Sequence, residues 1–291
     1  MRTQRGTSMI EFTIAAVPVL FLGLGSIELA RWMLARQAIS LALLQGARAA
    51  STEHGRPQAL EQAFEDALLP LFAGGSRASR KLAQQSAFAG RSQRSGLPPW
   101  QVQVLSPSPL AFHDHADPAL RIAGAAGRAA INNNYQFEQD QGKRARGWVE
   151  GRGPASGQSV FEANTLVLRL QYLHEPIVPG FKGLLSALGN KNGAYGQRAL
   201  ASGYLPIMHE IALGMQSHPV NWALPASGKI VQGLPMLRAP DGSPGTPGPT
   251  TPQPGNPSTL LPPGPADLPV PGEGLVPDPG DPACGLTLCC L

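Results

Sequence analysis

The hydrophobic pattern of the N-terminal region predicts one long helix with two different halves. From Phe12 to Ile27 no residue is charged, and most residues are strongly apolar. Together with Met9 and Ile10, this run approaches the roughly 17–25 apolar residues that a helix needs to cross a bilayer. We therefore predict a membrane-spanning helix over about residues 10–29.

Beyond this run, apolar residues recur at helical spacing with polar residues between them. The apolar positions of this stripe are Met33, Leu34, Ala38, Leu41, Leu44 and Ala47. We expect the stripe to pack in a protein core. The alternative is that part of it packs against helices of neighbouring subunits. Gly55 and Pro57 break the pattern and indicate where the helix ends.

The middle of the chain predicts an α+β head. Alternating apolar and polar residues predict three strands, over residues 100–104, 165–173 and 205–215. Helices are predicted over residues 58–71 and 181–188, and residues 74–99, which are rich in Ser, Arg, Gln and Gly, predict a loop. Few strands after a long N-terminal helix indicate a small antiparallel sheet that rests on the outer half of that helix.

Proline and glycine dominate the C-terminal segment from Pro240 to Pro282. Because proline removes backbone donors and favours extended conformations, we predict a disordered tail that serves as a spacer or as a docking segment. Cys284, Cys289 and Cys290 follow this segment at the very end of the tail, at a spacing that matches no zinc site. In an oxidising compartment they can stay unpaired, pair locally or pair between chains.

Charge gives little indication of a nucleic-acid partner. The formal net charge is +4, only 14% of residues are charged, and the one short basic cluster runs from Lys143 to Arg146. No aromatic residues are interleaved within this cluster. We therefore predict a solvated face there and expect no nucleic acid to bind.

No constellation of residues predicts an active site. The most metal-like group is His113, Asp114, His115 and Asp117, because imidazole and carboxylate groups can share an ion. It follows a proline-rich turn and lacks a second group of ligands at a recognisable spacing. We expect no enzyme and no cofactor.

The residues that precede the apolar run carry the most specific pattern. Arg2 and Arg5 favour a cytoplasmic N-terminus, and Gly6 and Glu11 follow them. A cleaved secretory signal would need a small-x-small site after the apolar run, where the sequence offers none. A plain signal anchor leaves Glu11 unexplained, since a carboxylate buried deeply in a membrane costs about 2–3 kcal/mol.

Gly6-Thr7, with Glu11 as the fifth residue after the glycine and Phe12 next, resembles the processing site of type IV prepilins. The resemblance implies that a membrane-embedded aspartyl peptidase cuts between Gly6 and Thr7. It also implies that the Glu11 carboxylate meets the free amino group of a neighbouring subunit during assembly. Opposite charges attract strongly in a medium of low dielectric constant, where either charge alone is costly.

The glutamate-aromatic pair resembles the motif of the tight-adherence (Tad, or Flp) pilus system, and the chain length resembles its TadE-like pseudopilins. Residues 28–32, 36–38 and 46–50 also look like the TadE-like pattern. The organisation that follows is a leader over residues 1–6, an N-terminal helix over 7–50, a periplasmic head over 51–238 and the tail over 239–291.

The resemblance implies a minor pilin or pseudopilin that acts structurally, in the bacterial inner membrane or within a surface pilus. Its implied partners are the prepilin peptidase, sibling pseudopilins, the assembly platform with its ATPase, and inner-membrane lipid. The alternative is a signal-anchored periplasmic enzyme or binding protein, in which Glu11 is incidental and the His113 cluster matters.

Overall fold

The computed structural model describes residues 7–178 and 180–233, which form a long helix and an α+β head. The α-helices are α1 (Thr7–Thr52), α2 (Pro57–Ala67), α3 (Arg77–Ser95), α4 (Pro109–His115), α5 (Gln136–Ala145), α6 (Val160–Ala163), α7 (Phe181–Leu188) and α8 (Tyr195–Ala201). Short 3-10 helices span Leu69–Leu71 and Val149–Gly151. The strands are β1 (Trp100–Ser106), β2 (Thr165–His174), β3 (Leu205–Gly214) and β4 (Ile230–Gln232). Gly6, the proline-rich tail and the three cysteines lie outside the described residues.

The sheet has the strand order β3-β2-β1-β4. The three predicted strands are confirmed, and they pair in antiparallel fashion, as expected. The short strand β4 pairs with β1 in parallel, so the sheet is mixed, whereas the sequence predicts an antiparallel one. A run of three residues is too short to show an alternating pattern, which explains why β4 escapes sequence reasoning.

One face of the sheet packs against the second half of α1 and against α2. The buried residues of this core include Ile39, Leu43, Phe64, Trp100 and Leu168. The Phe64 and Trp100 rings meet edge to face, with 4.8 Å between their centroids. On β2, the predicted inward positions Leu166, Leu168, Leu170 and Tyr172 are all buried.

The predicted core stripe on α1 is largely wrong. Met33, Leu34 and Leu41 are 51%, 65% and 64% exposed. The buried positions are instead Ile39, Ala42, Leu43, Ala47 and Ala50, of which the prediction contains only Ala47. This half of α1 is apolar on more than one side, so helical spacing alone does not identify the side that meets the sheet.

The predicted loop over residues 74–99 is also wrong, because most of it forms α3. Ser76 and Ser79 form a reciprocal capping box at its start, and Gly96 ends it in the left-handed conformation. The helix is polar overall, but Phe88 is buried on its inner side and Gln84 donates to the backbone of Glu65 over 2.7 Å. A few inward contacts on a polar helix leave only a weak periodic signal.

The sheet runs along α1, so each end of the head can be assigned to a position on the helix. Ser51 accepts a hydrogen bond from the Gln216 backbone just beyond β3, and Glu28 contacts His174 at the end of β2. These two points are about 35 Å apart along the helix, which matches the length of about 33 Å for a ten-residue strand. The connection between β2 and β3, over residues 175–204, therefore lies at the Glu28 end.

Candidate membrane and assembly helix

The described part of α1 begins at Thr7, the residue that follows the predicted cleavage site. Glu11 lies just beyond the first turn and is exposed, and Phe12 beside it is 72% exposed. Glu11 forms no ion pair or hydrogen bond with another residue in the described part of the chain. Its carboxylate therefore faces outward, available to a group from outside this chain.

An apolar band surrounds α1 from Phe12 to Ile27. Its large apolar side chains are all between 43% and 76% exposed. The helix continues through Pro18, and Ser26 donates to the Gly23 carbonyl over 2.7 Å. Proline and glycine of this kind are tolerated in membrane helices. Among the described residues, α1 is the one helix that is long and apolar enough to cross a membrane, by length and composition.

The head begins abruptly at Glu28, directly after this band. Glu28 is only 7% exposed. Its Oε2 accepts a hydrogen bond from the Ile177 backbone over 3.0 Å and lies 3.5 Å from an Arg31 Nη1, and its Oε1 lies 3.3 Å from His174 Nε2. The carboxylate thus ties the helix to the β2–β3 connection at the point where the apolar band stops.

Sequence reasoning did not find this junction. A second acidic residue at the end of the apolar run is the available signal. Its partners His174 and Ile177 are 146 and 149 residues away in sequence. Nothing local in the sequence indicates such a contact.

Four histidines of the head have a pKa lowered by burial, two of them buried and two half-buried. Burial lowers the pKa of His174, although the hydrogen bond to Glu28 acts in the opposite direction and the charges of Arg31 and Arg91 act with burial. Burial likewise lowers the pKa of His115, His209 and His218. Each of these side chains binds a proton more readily in the unfolded chain than in the folded one.

We expect the free energy of unfolding of the head to decrease as the pH falls below about 6.5, the ordinary pKa of histidine in an unfolded chain. Above that pH the histidine contribution is fully present, and it is lost as the pH falls toward the lower pKa of the folded state. Urea unfolding of the detergent-solubilised protein across this range measures the effect. His174→Gln should flatten the dependence, and His113→Gln, at an exposed histidine, should not. Equal slopes for all three proteins would contradict the assignment.

The His113 cluster does not come together as a metal site. His113 is exposed, and its Nδ1 lies 3.2 Å from Oδ1 of buried Asp114. His115 turns away into the head, where its Nδ1 lies 2.6 Å from Lys143 Nζ. Within residues 7–178 and 180–233, no three His, Cys, Asp or Glu side chains are placed to hold a metal ion together.

The predicted solvated face over residues 143–146 is wrong for Lys143, which is 6% exposed. Its ammonium group lies 5.5 Å from the centre of the Trp148 ring and close to His115. Burial lowers the pKa of Lys143 to about 8, and the charge of Arg146 adds to the effect. Arg144 and Arg146 are exposed, as expected.

These observations define a class of protein: one long helix with an exposed apolar first half, joined to a folded head by its second half. The family model described as TadE-like protein matches residues 6–48, so the family resemblance of this segment is confirmed. TadE-like proteins are pilus components with no known enzymatic activity. The match ends within α1 and covers neither the sheet nor the helices that follow α1. No curated protein and no solved structure matched the chain.

Proposed function

We propose that this protein is a minor pilin or pseudopilin of a Tad-type pilus and that it acts structurally rather than as an enzyme. The observation that carries the proposal is the division of α1 at Glu28. Before Glu28 the helix exposes an almost purely apolar surface, and after it the helix is built into the head. A soluble protein would leave that apolar surface in water, whereas a pilin uses it first in the membrane and then in the fibre.

The position of Glu11 supports the same function. It is the one acidic residue between Thr7 and Ile27, and it has no partner among the described residues. Cleavage by a prepilin peptidase after Gly6 would make Thr7 the new N-terminus and create a free amino group. The Glu11 carboxylate of one subunit then binds the Thr7 amino group of a neighbour and fixes the register of the two helices.

The exposed apolar residues beyond Glu28 extend this contact surface outside the membrane. Met33, Leu34 and Leu41 are each more than half exposed and are not part of the core that α1 shares with the sheet in the described residues. The sequence left open whether part of this stripe meets neighbouring subunits, and its exposure favours that alternative. Helices of sibling pseudopilins are the partners that we propose for it.

In the arrangement that we propose, Arg2 and Arg5 hold the N-terminus in the cytoplasm and the head lies in the periplasm. The protein waits in the inner membrane until an assembly platform, driven by its ATPase, extracts it. Its function requires no cofactor and no nucleic acid, because helix packing and head contacts supply the specificity.

Deletion of the gene tests this function. We expect the deletion strain to lose surface pili, measured as pilin in the sheared fraction, and the wild-type gene to restore them. The major pilin in the membrane fraction serves as the control, since its amount should stay normal. Undiminished piliation in the deletion strain would contradict the proposal.

A further inference from the structure

The end of the head nearest the apolar band of α1 carries exposed hydrophobic side chains. This end consists of the β2–β3 connection, because β2 finishes and β3 starts beside Glu28. Within it, Ile177 is 58% exposed, Leu184 is 56% exposed and Leu188 is 66% exposed. We call these three residues the proximal patch. The backbone N–H of Ile177 donates to Glu28, the residue that directly follows the apolar band on α1. The proximal patch therefore begins beside the end of this band.

The helix α7 presents more apolar surface than the head can bury. Its sequence is FKGLLSAL, yet the head buries only Leu185. Leu184 and Leu188 are separated by one helical turn and therefore share a face, and Phe181 lies on the same side, half-buried. When a helix is apolar on its outer side as well as its inner side, its outer side typically contacts a second apolar environment, such as the interior of a lipid bilayer.

The charges around the proximal patch suit a lipid surface. Lys182 and Lys191 are exposed on either side of the α7 leucines, and exposed Arg198 follows on α8. Lys182 pairs with Glu175 over 2.7 Å, whereas Lys191 has no ion pair within the described part of the chain. Basic side chains beside an apolar helical face are favourable next to anionic headgroups, because their stems cover apolar surface while their charges stay wet.

We propose that the proximal patch rests in the interfacial layer of the same membrane that α1 crosses, so that α7 lies on the periplasmic leaflet as an in-plane anchor. The bilayer surface is the one occupant that the location requires, since α1 leaves the head at Glu28 and the patch lies at that level. This inference rests on the membrane anchorage of the proposed function. It adds that α7 holds the head against the lipid surface, and this contact must break when the subunit is extracted.

The contact of α7 with the membrane is tested by measuring how deeply labelled residues of the full chain lie in the bilayer. The three tail cysteines are replaced by serine, and single cysteines are placed by Leu184→Cys, Leu188→Cys, Leu20→Cys or Val149→Cys. Each variant is labelled with an environment-sensitive fluorophore and reconstituted in vesicles of phosphatidylethanolamine and phosphatidylglycerol. Quencher groups are carried on the lipids, either near the headgroup or deep in the acyl chains.

Two positions serve as references. Leu20 lies in the middle of the apolar band and reports whether α1 is in the bilayer. Val149 is 80% exposed and belongs to the β1–β2 connection at the far end of the head, so it reports a position in water.

We expect the labels at positions 184 and 188 to shift to the blue and to lose fluorescence with the headgroup quencher, and the label at 149 to do neither. The label at 20 should respond most to the deep quencher. If the labels at 184 and 188 behave like the label at 149 while the label at 20 is quenched, the proposed contact of α7 with the membrane surface is wrong, although α1 still anchors the protein in the bilayer. If the label at 20 is not quenched either, α1 does not cross the bilayer, and both the membrane anchorage and the contact of α7 with the membrane are wrong.

Discussion

Replacing Glu11 with alanine should remove the protein from the pilus while leaving its amount in the membrane unchanged. The carboxylate lies on the exposed surface of α1 and has no compensating charge in the described residues. Its removal makes membrane insertion easier, since the apolar band then has no acidic interruption. What is lost is the attraction to the amino group of a neighbouring Thr7.

This loss should be large. An ion pair at 4 Å contributes on the order of 4 kcal/mol at an effective dielectric constant of about 20. Because about 1.4 kcal/mol corresponds to a factor of ten, we expect at least a tenfold decrease in the protein recovered with sheared pili. Immunoblots of the pilus and membrane fractions measure both quantities.

Two further variants separate charge from shape. Glu11→Gln keeps the size of the side chain and loses the charge, so it should fail like alanine. Glu11→Asp keeps the charge on a shorter stem and should retain part of the incorporation. Normal incorporation of the alanine variant would favour a plain signal anchor, in which Glu11 is incidental.

Replacing Phe64 with alanine should have the largest effect on the stability of the head. Phe64 on α2 is fully buried in the core that α2 forms with α1 and the sheet, and its ring meets Trp100 edge to face. Truncation of a buried phenylalanine costs about 3–5 kcal/mol, because transfer energy is lost and a cavity remains. Gly46 on α1 is packed against the Phe64 backbone and Cβ, so the two helices have little freedom to close the gap.

Phe137→Ala is the matched control, since Phe137 is 62% exposed and the chemical change is the same. Its unfolding free energy should stay within about 0.5 kcal/mol of the wild type. Urea titration in mild detergent, followed by the near-UV signal of the head, compares the two variants. Equal destabilisation by both changes would contradict the assigned core.

The sequence predicts the parts of this fold that rest on strong periodic patterns. The strands β1, β2 and β3 are seven to ten residues long and each contains an alternating segment, so the sequence predicts all three close to their observed bounds. The apolar run of α1 was equally clear. These signals are local, because each depends only on which residues follow one another along the chain.

The errors occur where long-range packing decides the outcome. Met33, Leu34 and Leu41 fit a helical stripe, but the sheet and α2 lie on the other side of α1. The Glu28 junction joins parts of the chain that are far apart in sequence, so it leaves no local pattern. In the candidate site, the motif around Glu11 was visible in the sequence, whereas the level at which the head begins was not.

The N-terminal mass of the membrane-extracted protein tests the central claim most directly. It is measured with and without a prepilin peptidase expressed in the same cells. The account predicts a mature chain that begins at Thr7, found only when the peptidase is present. A chain that still begins at Met1 under both conditions would contradict the pilin route and leave α1 as an ordinary membrane anchor.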